Sequence, residues 1–225
     1  MTAFDWDTIF REEFDRAVTK DVAKSGFKPD TWFSAGRGKG QRDEWWQENG
    51  PQMARAFGDW WESTPDARIW IAPDGRPSIE LELRVQFGDV PVVVFIDLIV
   101  QLGTALVVTD LKTSAREPSS LSQLGIYACA VELAYGIRPK YGTHFMCRGI
   151  EQKDGSTRFF MPPAPLDDYR YSIPYYTQQF QMLNAADEGG IFLPNPGDGC
   201  ARCGVNYACD SVGGAEAPKY RKDAN

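Results

Sequence analysis

Three acids and a lysine stand where a purely structural hairpin would keep apolar side chains. The stretch FIDLIVQLGTALVVTDLKTS, Phe95 to Ser114, is among the most apolar in the chain, yet it holds Asp97, Asp110 and Lys112. The alternating stretch SIELELRVQF just before it holds Glu80. Carboxylates brought together away from water repel one another and lose hydration. A cluster of them beside a lysine therefore calls for a compensating cation, and hard oxygen donors suit Mg2+ or Mn2+. Such an ion makes a water acidic and neutralises charge on a phosphoryl oxygen. Lys112 can orient or deprotonate the attacking water and offset transition-state charge. Such a set of groups is suited to hydrolysing a phosphoester. The competing reading is a row of solvated acids on an open sheet face. It fits Glu80, Glu82 and Arg84 by alternation, but it fits poorly for Asp97, whose same-face neighbours Val93, Phe95 and Ile99 are apolar.

Strands and turns must position these groups. A two-residue turn at Gly103-Thr104 pairs Leu102 with Ala105 and sets Asp97 opposite Asp110. A second at Gly88-Asp89 pairs Phe87 with Val90 and sets Glu80 opposite Asp97. Side chains alternate with period two, so Lys112 shares the face of Asp110. The same alternation groups Ile79, Leu81, Leu83 and Val85 on the other face of their strand. An odd-length loop would shift the register and break the alignment.

Around this meander the periodicity predicts a helix over 5–25, with Phe4, Ile9, Phe10, Phe14 and Val18 or Val22 on one face. A second helical region over 43–63 is interrupted or re-capped at Asn49-Gly50-Pro51. RIWIA reads as a short strand. A helix runs from Pro118-Ser119-Ser120 to Gly136, then strands over 140–149 and 156–163, then a helix over 166–190 that Pro174 limits or kinks. The order makes an α/β unit, a mixed central β-sheet flanked by helices. We expect a single domain over 1–225, with an N-terminal helical part (1–65), a catalytic core (66–165) and a C-terminal helix with a cysteine-containing tail (166–225).

The net charge of −7 argues against non-specific coating of polyanions but leaves room for a local basic path. Five cysteines, three crowded near one end, are not a secreted disulfide framework. The acidic N-terminus is unlike a secretory signal. The longest apolar run, VPVVVFIDLIV, is broken by Asp97 and too short to span a bilayer. These features predict a soluble cytoplasmic protein with no membrane contact.

The ordered set of Asp97 on one strand, Asp110-Leu111-Lys112 on the next and Gln123-x-x-x-Tyr127 on the following helix resembles the nuclease domain of RecB-like exonucleases. These belong to the PD-(D/E)xK superfamily and have the restriction-endonuclease-like fold. The Ile-Glu at Glu80 matches a habit of that family, and the resemblance covers about residues 78 to 150. With the GRGKG stretch it is most similar to versions carried by bacteriophages of actinobacteria. The resemblance implies a Mg2+- or Mn2+-dependent DNA exonuclease in recombination, repair or phage DNA processing. It implies that Asp97, Asp110 and the Leu111 backbone carbonyl hold metal, that Glu80 assists, that Lys112 works on the nucleophile, and that Gln123 and Tyr127 shape the site. DNA is then the partner, with a recombination or helicase protein beside it, in the host cytoplasm if the chain is phage-encoded. A catalytically silent DNA-binding or assembly module on the same fold, or an endonuclease, is the alternative. Many relatives carry a metal-binding histidine on an N-terminal helix. The one histidine here, His144, lies on a later strand and reads as structural, and a carboxylate such as Glu48 could take the place of the missing ligand.

Cys200, Cys203 and Cys209 form a C-x2-C-x5-C cluster in a Gly/Pro-rich segment, a spacing suited to metal. It is similar to the three C-terminal cysteines of some RecB-like nucleases, including CRISPR-adaptation exonucleases. There a fourth cysteine before the core completes a 4Fe-4S cluster. No cysteine precedes Cys129 here, so the fourth ligand is unidentified, and zinc or no metal are the alternatives. Cys129 and Cys147 fall on core elements. In SAGRGKGQR, the residues Arg37, Lys39 and Arg42 suit DNA phosphates, or a plain solvated loop. Of the pairs Trp45-Trp46 and Trp60-Trp61, one member each is expected in the core, the other reading being stacking on bases.

Overall fold

The computed structural model describes residues 4–29 and 43–191. The chain divides into two compact units, Met1–Thr177 and Gln178–Asn225. Of the second, only 178–191 are among the described residues.

Helix α1 (Trp6–Ser25) starts at Asp5, whose carboxylate accepts the Thr8 N–H at 3.2 Å, and stops at Gly26, which takes the left-handed backbone that ends helices. None of its residues is fully buried, and Phe4 and Ile9 of the predicted apolar face are exposed. Helix α2 (Asp43–Ser63) runs unbroken through Pro51, so the predicted interruption at Asn49-Gly50-Pro51 is absent. The reason is tertiary. The Phe10 ring fills the space a side chain at Gly50 would need, and the Trp6 indole does the same at Gly58. The glycines are notches for α1 rather than breaks.

The sheet has seven strands among the described residues. They are β1 (Ala67–Ile69), β2 (Ile79–Phe87), β3 (Val90–Leu102), β4 (Ala105–Lys112), β5 (Tyr141–Glu151), β6 (Thr157–Phe160) and β7 (Ala164–Pro165). β1 and β2 both lie antiparallel along the edge of β3 opposite β4: Val100 is flanked by Ile69 and Val107, and Leu98 by Ile79 and Thr109. Helix α3 (Ser122–Tyr135) makes the crossover, and β5 then pairs parallel to β4. β6 and β7 add antiparallel to β5. The sheet is mixed, as predicted.

The two sheet faces are covered by different helices. On one, Phe57, Trp60 and Trp61 of α2 pack against Ala67, Leu98 and Val100, as does Leu111 of β4, and Phe145 meets the Phe57 and Trp60 rings. Gly142, three residues from Phe145 and so on the other face of β5, abuts Leu124 of α3. Buried Leu98, Ile99 and Val100, three in a row, show the middle of β3 covered on both sides. The predicted C-terminal helix begins late. A 3-10 turn at Tyr169–Tyr171, capped by Asp168, precedes helix α4 (Ile173–Glu188). Pro174 sits in its first turn, where a missing N–H costs nothing. No described helix is long and apolar enough to cross a membrane.

Candidate active site

Both two-residue turns form, with Leu102 opposite Ala105 and Phe87 opposite Val90. Gly88 and Gly103 supply the positive φ that such turns need. The pairing of β3 with β4 then ends at Leu98 and Thr109, one position short of the acids. β4 stays with β5 as far as Lys112 and Met146. Asp97 thus stands where β3 and β4 part. It does not form the expected backbone pair with Asp110; its Oδ2 instead accepts the Leu111 N–H at 2.8 Å.

Glu80 falls between the pairs Ile79–Leu98 and Leu81–Ile96, level with Asp97 but outside the ladder. Its φ is +48, left-handed for a residue with a side chain. That conformation costs about 1–2 kcal/mol and turns the strand at this point. The predicted alternation fails there: Leu81, Leu83 and Val85 are buried, but Ile79 is 54% exposed. Burial first, and the neighbouring Asp97 carboxylate second, push the Glu80 carboxyl above its usual range.

Asp110 is 1% exposed. Burial pushes its carboxyl up, opposed by Lys112. The Lys112 Nζ lies 2.7 Å from Asp110 Oδ2, so the buried carboxylate is paired with the ammonium. Lys112 also donates to Gln123 Oε1 at 3.0 Å, and Gln123 Nε2 donates to the Tyr127 hydroxyl at 2.7 Å. Gln123 and Tyr127 are one helical turn apart on α3 and so share a face. Burial, with Asp97, Asp110 and Glu80 adding to it and the Gln123 bond opposing, pushes the Tyr127 phenol up to about 12. The phenol is neutral at physiological pH and its O–H proton is free to be donated. All six predicted residues, Glu80, Asp97, Asp110, Lys112, Gln123 and Tyr127, are brought into one neighbourhood.

Two residues read as core from sequence belong to the same neighbourhood. His144 is the β5 partner of Asp110. It is buried, with Nδ1 3.8 Å from Glu117 Oε1 and no hydrogen bond, and burial lowers its pKa. Cys147 is half-buried, and its thiol is pushed up to about 11 by burial, with Asp97 and Asp110 contributing. Register across a parallel pair depends on a helical crossover, and no local signal announces it. Cys129 is core as predicted, its thiol bonded to the Tyr171 carbonyl and to Arg138.

Among the described residues no three His, Cys, Asp or Glu side chains converge to hold a metal by themselves. Two carboxylates and a carbonyl meet the need of Mg2+, which keeps several waters. The buried Asp110 carboxylate and the raised carboxyls of Glu80 and Asp110 fit a hard cation. Glu48 is exposed on α2. All four tryptophans of the two pairs are half-buried, with Trp60 stacked on Phe160 at 4.5 Å, so neither pair splits into a core and a surface member. Arg37, Lys39, Arg42, Cys200, Cys203 and Cys209 lie outside the described residues.

The sequence profile of the PD-(D/E)XK nuclease superfamily matches residues 7–210. The Gene 69 protein of Mycobacterium phage D29 is 30% identical over 222 residues, which cover 88% of this chain and 78% of that protein. The Gene 69 protein of Mycobacterium phage L5 is 31% identical over 229 residues, covering 89% and 74%. The profile takes in every residue from Glu80 to Tyr127 that the fold gathers at the fork of β3 and β4, and on that match the chain belongs to the PD-(D/E)XK nuclease superfamily.

Proposed function

We propose that this protein is a divalent-metal-dependent deoxyribonuclease of the RecB-like kind, working as an exonuclease in phage DNA processing, recombination or repair in the host cytoplasm. The observation that carries the reading is the unbroken chain from Asp110 through Lys112 and Gln123 to Tyr127, set beside Asp97 at the strand fork. Asp97, Asp110 and the Leu111 carbonyl would hold Mg2+ or Mn2+, with Glu80 assisting. Bound there, the ion would supply Lewis acidity toward water and the scissile phosphate. Asp97 contributes twice, since its bond to the Leu111 N–H also fixes the peptide next to the ligand carbonyl. Lys112 orients the attacking water and offsets charge growing on the phosphate oxygens. Gln123 holds the ammonium in place, and the neutral Tyr127 hydroxyl donates toward the substrate.

The exonuclease reading is supported by the likeness to RecB-type domains, and the phage context by the mycobacteriophage relatives. A recombination or helicase protein is the expected partner. The C-x2-C-x5-C spacing supports a 4Fe-4S cluster at Cys200, Cys203 and Cys209, with zinc as the alternative. Iron, acid-labile sulfide and zinc analysis of anaerobically purified protein decides between them.

The test of function is cleavage of end-labelled linear DNA and of covalently closed circles with Mn2+, by wild type and Lys112→Ala. Degradation of the linear DNA alone, lost in the variant, supports the reading. Cutting of circles makes the protein an endonuclease. Binding without cleavage by either protein makes it a silent DNA-binding module.

A further inference from the structure

β5 continues past the acids. Arg148 lies two residues beyond Met146, the partner of Lys112, and so about 7 Å further along the strand. Here β5 slips register between Phe145 and Ile150, and Gly149 adopts a φ of +70. Such bulges re-aim side chains next to active sites. The Arg148 guanidinium lies over the Trp45 ring of α2, 4.3 Å from its centroid, and Trp45 is braced edge-on by Trp46 at 5.0 Å.

The Nε and Nη2 of Arg148 are buried, and no described residue accepts a hydrogen bond from either. Arg55, Arg76, Arg138 and Arg170 each have a carboxylate partner. No described carboxylate pairs with Arg148. A guanidinium cannot shed its proton, and a buried charge without a counter-ion is costly. Stacking on an indole leaves the N–H donors unspent, and because Arg148 as a whole is only half-buried, a phosphate would meet the guanidinium at its open edge rather than at the enclosed Nε and Nη2.

We propose that Arg148, held on Trp45, is a phosphate clamp: it grips a backbone phosphate of the bound DNA strand on the side of the site beyond Lys112. The proposal rests on the nuclease reading of that site. The anion is a phosphodiester because Arg148 follows on β5, two residues past Met146, the backbone partner of the lysine assigned to work on one.

The test uses the full chain carrying Lys112→Ala to prevent turnover, with and without Arg148→Met, and a fluorescent 20-nucleotide DNA in Mg2+. Anisotropy is read from 50 to 300 mM NaCl. The clamp predicts about tenfold weaker binding with Arg148→Met and a salt slope smaller by about 0.7–0.9, one phosphate contact. Arg148→Lys keeps the slope but not the full affinity. With Lys112 restored, Arg148→Met raises the DNA concentration needed for half-maximal cleavage while the rate at saturation stays within about twofold. Its melting temperature equals or exceeds that of wild type, because an unpaired buried charge has been removed.

Unchanged affinity and slope while wild type still cleaves would overturn the clamp alone. So would a large fall in melting temperature, which makes the guanidinium a structural member of the fold. A wild type that neither binds nor cleaves DNA overturns the nuclease reading and the clamp together.

Discussion

Asp97 and Leu111 are joined side chain to backbone, Oδ2 accepting N–H at 2.8 Å, at the point where β3 and β4 separate. The bond replaces the ladder hydrogen bond that the splaying strands can no longer make. A hydrogen bond to a charged group contributes about 1.5–3 kcal/mol. Asp97→Ala should lose that much stability in urea denaturation. Asp97→Asn keeps an accepting oxygen and should stay within about 1 kcal/mol of wild type. Both should lose cleavage of end-labelled DNA by about 100-fold or more, the asparagine variant because its charge alone is gone. An active Asp97→Asn would remove Asp97 from the metal site.

Glu80 holds a left-handed backbone that glycine adopts freely. Glu80→Gly should raise the urea midpoint relative to Glu80→Ala by the equivalent of about 1 kcal/mol, although it adds chain freedom to the unfolded state. Both substitutions should weaken Mn2+-dependent cleavage. If glycine gives no gain over alanine, the backbone at this point carries no strain.

Lys112 is held by Asp110 on one side and Gln123 on the other. Lys112→Ala should cost about 10²–10⁴ in cleavage rate, and Gln123→Ala about tenfold, because the ammonium then has one hold instead of two. Tyr127 is raised to about 12 in the folded protein, so its contribution to stability is complete below the ordinary value near 10 and is lost as pH climbs through about 12. Tyr127→Phe should flatten the fall in melting temperature between pH 9.5 and 11.5. An alkaline limb identical to wild type would contradict this.

Asp74 sits in an exposed knot. Its carboxylate accepts from Arg76 and from the Tyr135 hydroxyl at 2.7 Å, while Arg76 also donates to the Glu82 carbonyl, two residues from Glu80. Arg76 first and Tyr135 second lower the Asp74 carboxyl to about 2. Its contribution is therefore present above pH 4 and lost as pH falls toward 2. Asp74→Asn should shrink the drop in melting temperature over that window and leave the neutral-to-alkaline range unaltered in shape.

The hairpins were legible because two-residue Gly-X turns fix register by their own geometry, and register carries Glu80, Asp97, Asp110 and Lys112 with it. The Asp97–Leu111 bridge was not, because strand splaying is decided by what each strand packs against. Ile79 was misread for a related reason, since one positive φ at Glu80 undoes a period-two pattern. Asn49-Gly50-Pro51 carries every local mark of a helix stop, yet Phe10, forty residues earlier, needs Gly50 inside a continuous helix, as Trp6 needs Gly58. His144, Cys147 and Arg148 became visible only once β5 was laid beside β4. What a sequence states within ten residues could be read; what it states across a crossover needed the fold.

The two notches on α2 have a consequence for how the molecule comes apart. α1 has no fully buried residue and is fastened by two aromatic rings seated on glycines and by the Arg55–Asp7 pair at 2.5 Å. Its detachment exposes little of the interior, so it should open as a separate cooperative unit well before the sheet gives way. Amide hydrogen exchange would then sort the chain into two populations, α1 exchanging at low opening energy and the paired amides of β3 and β4 only on global unfolding. Trp6, released from Gly58 as the helix lifts, would give that first opening its own fluorescence signal.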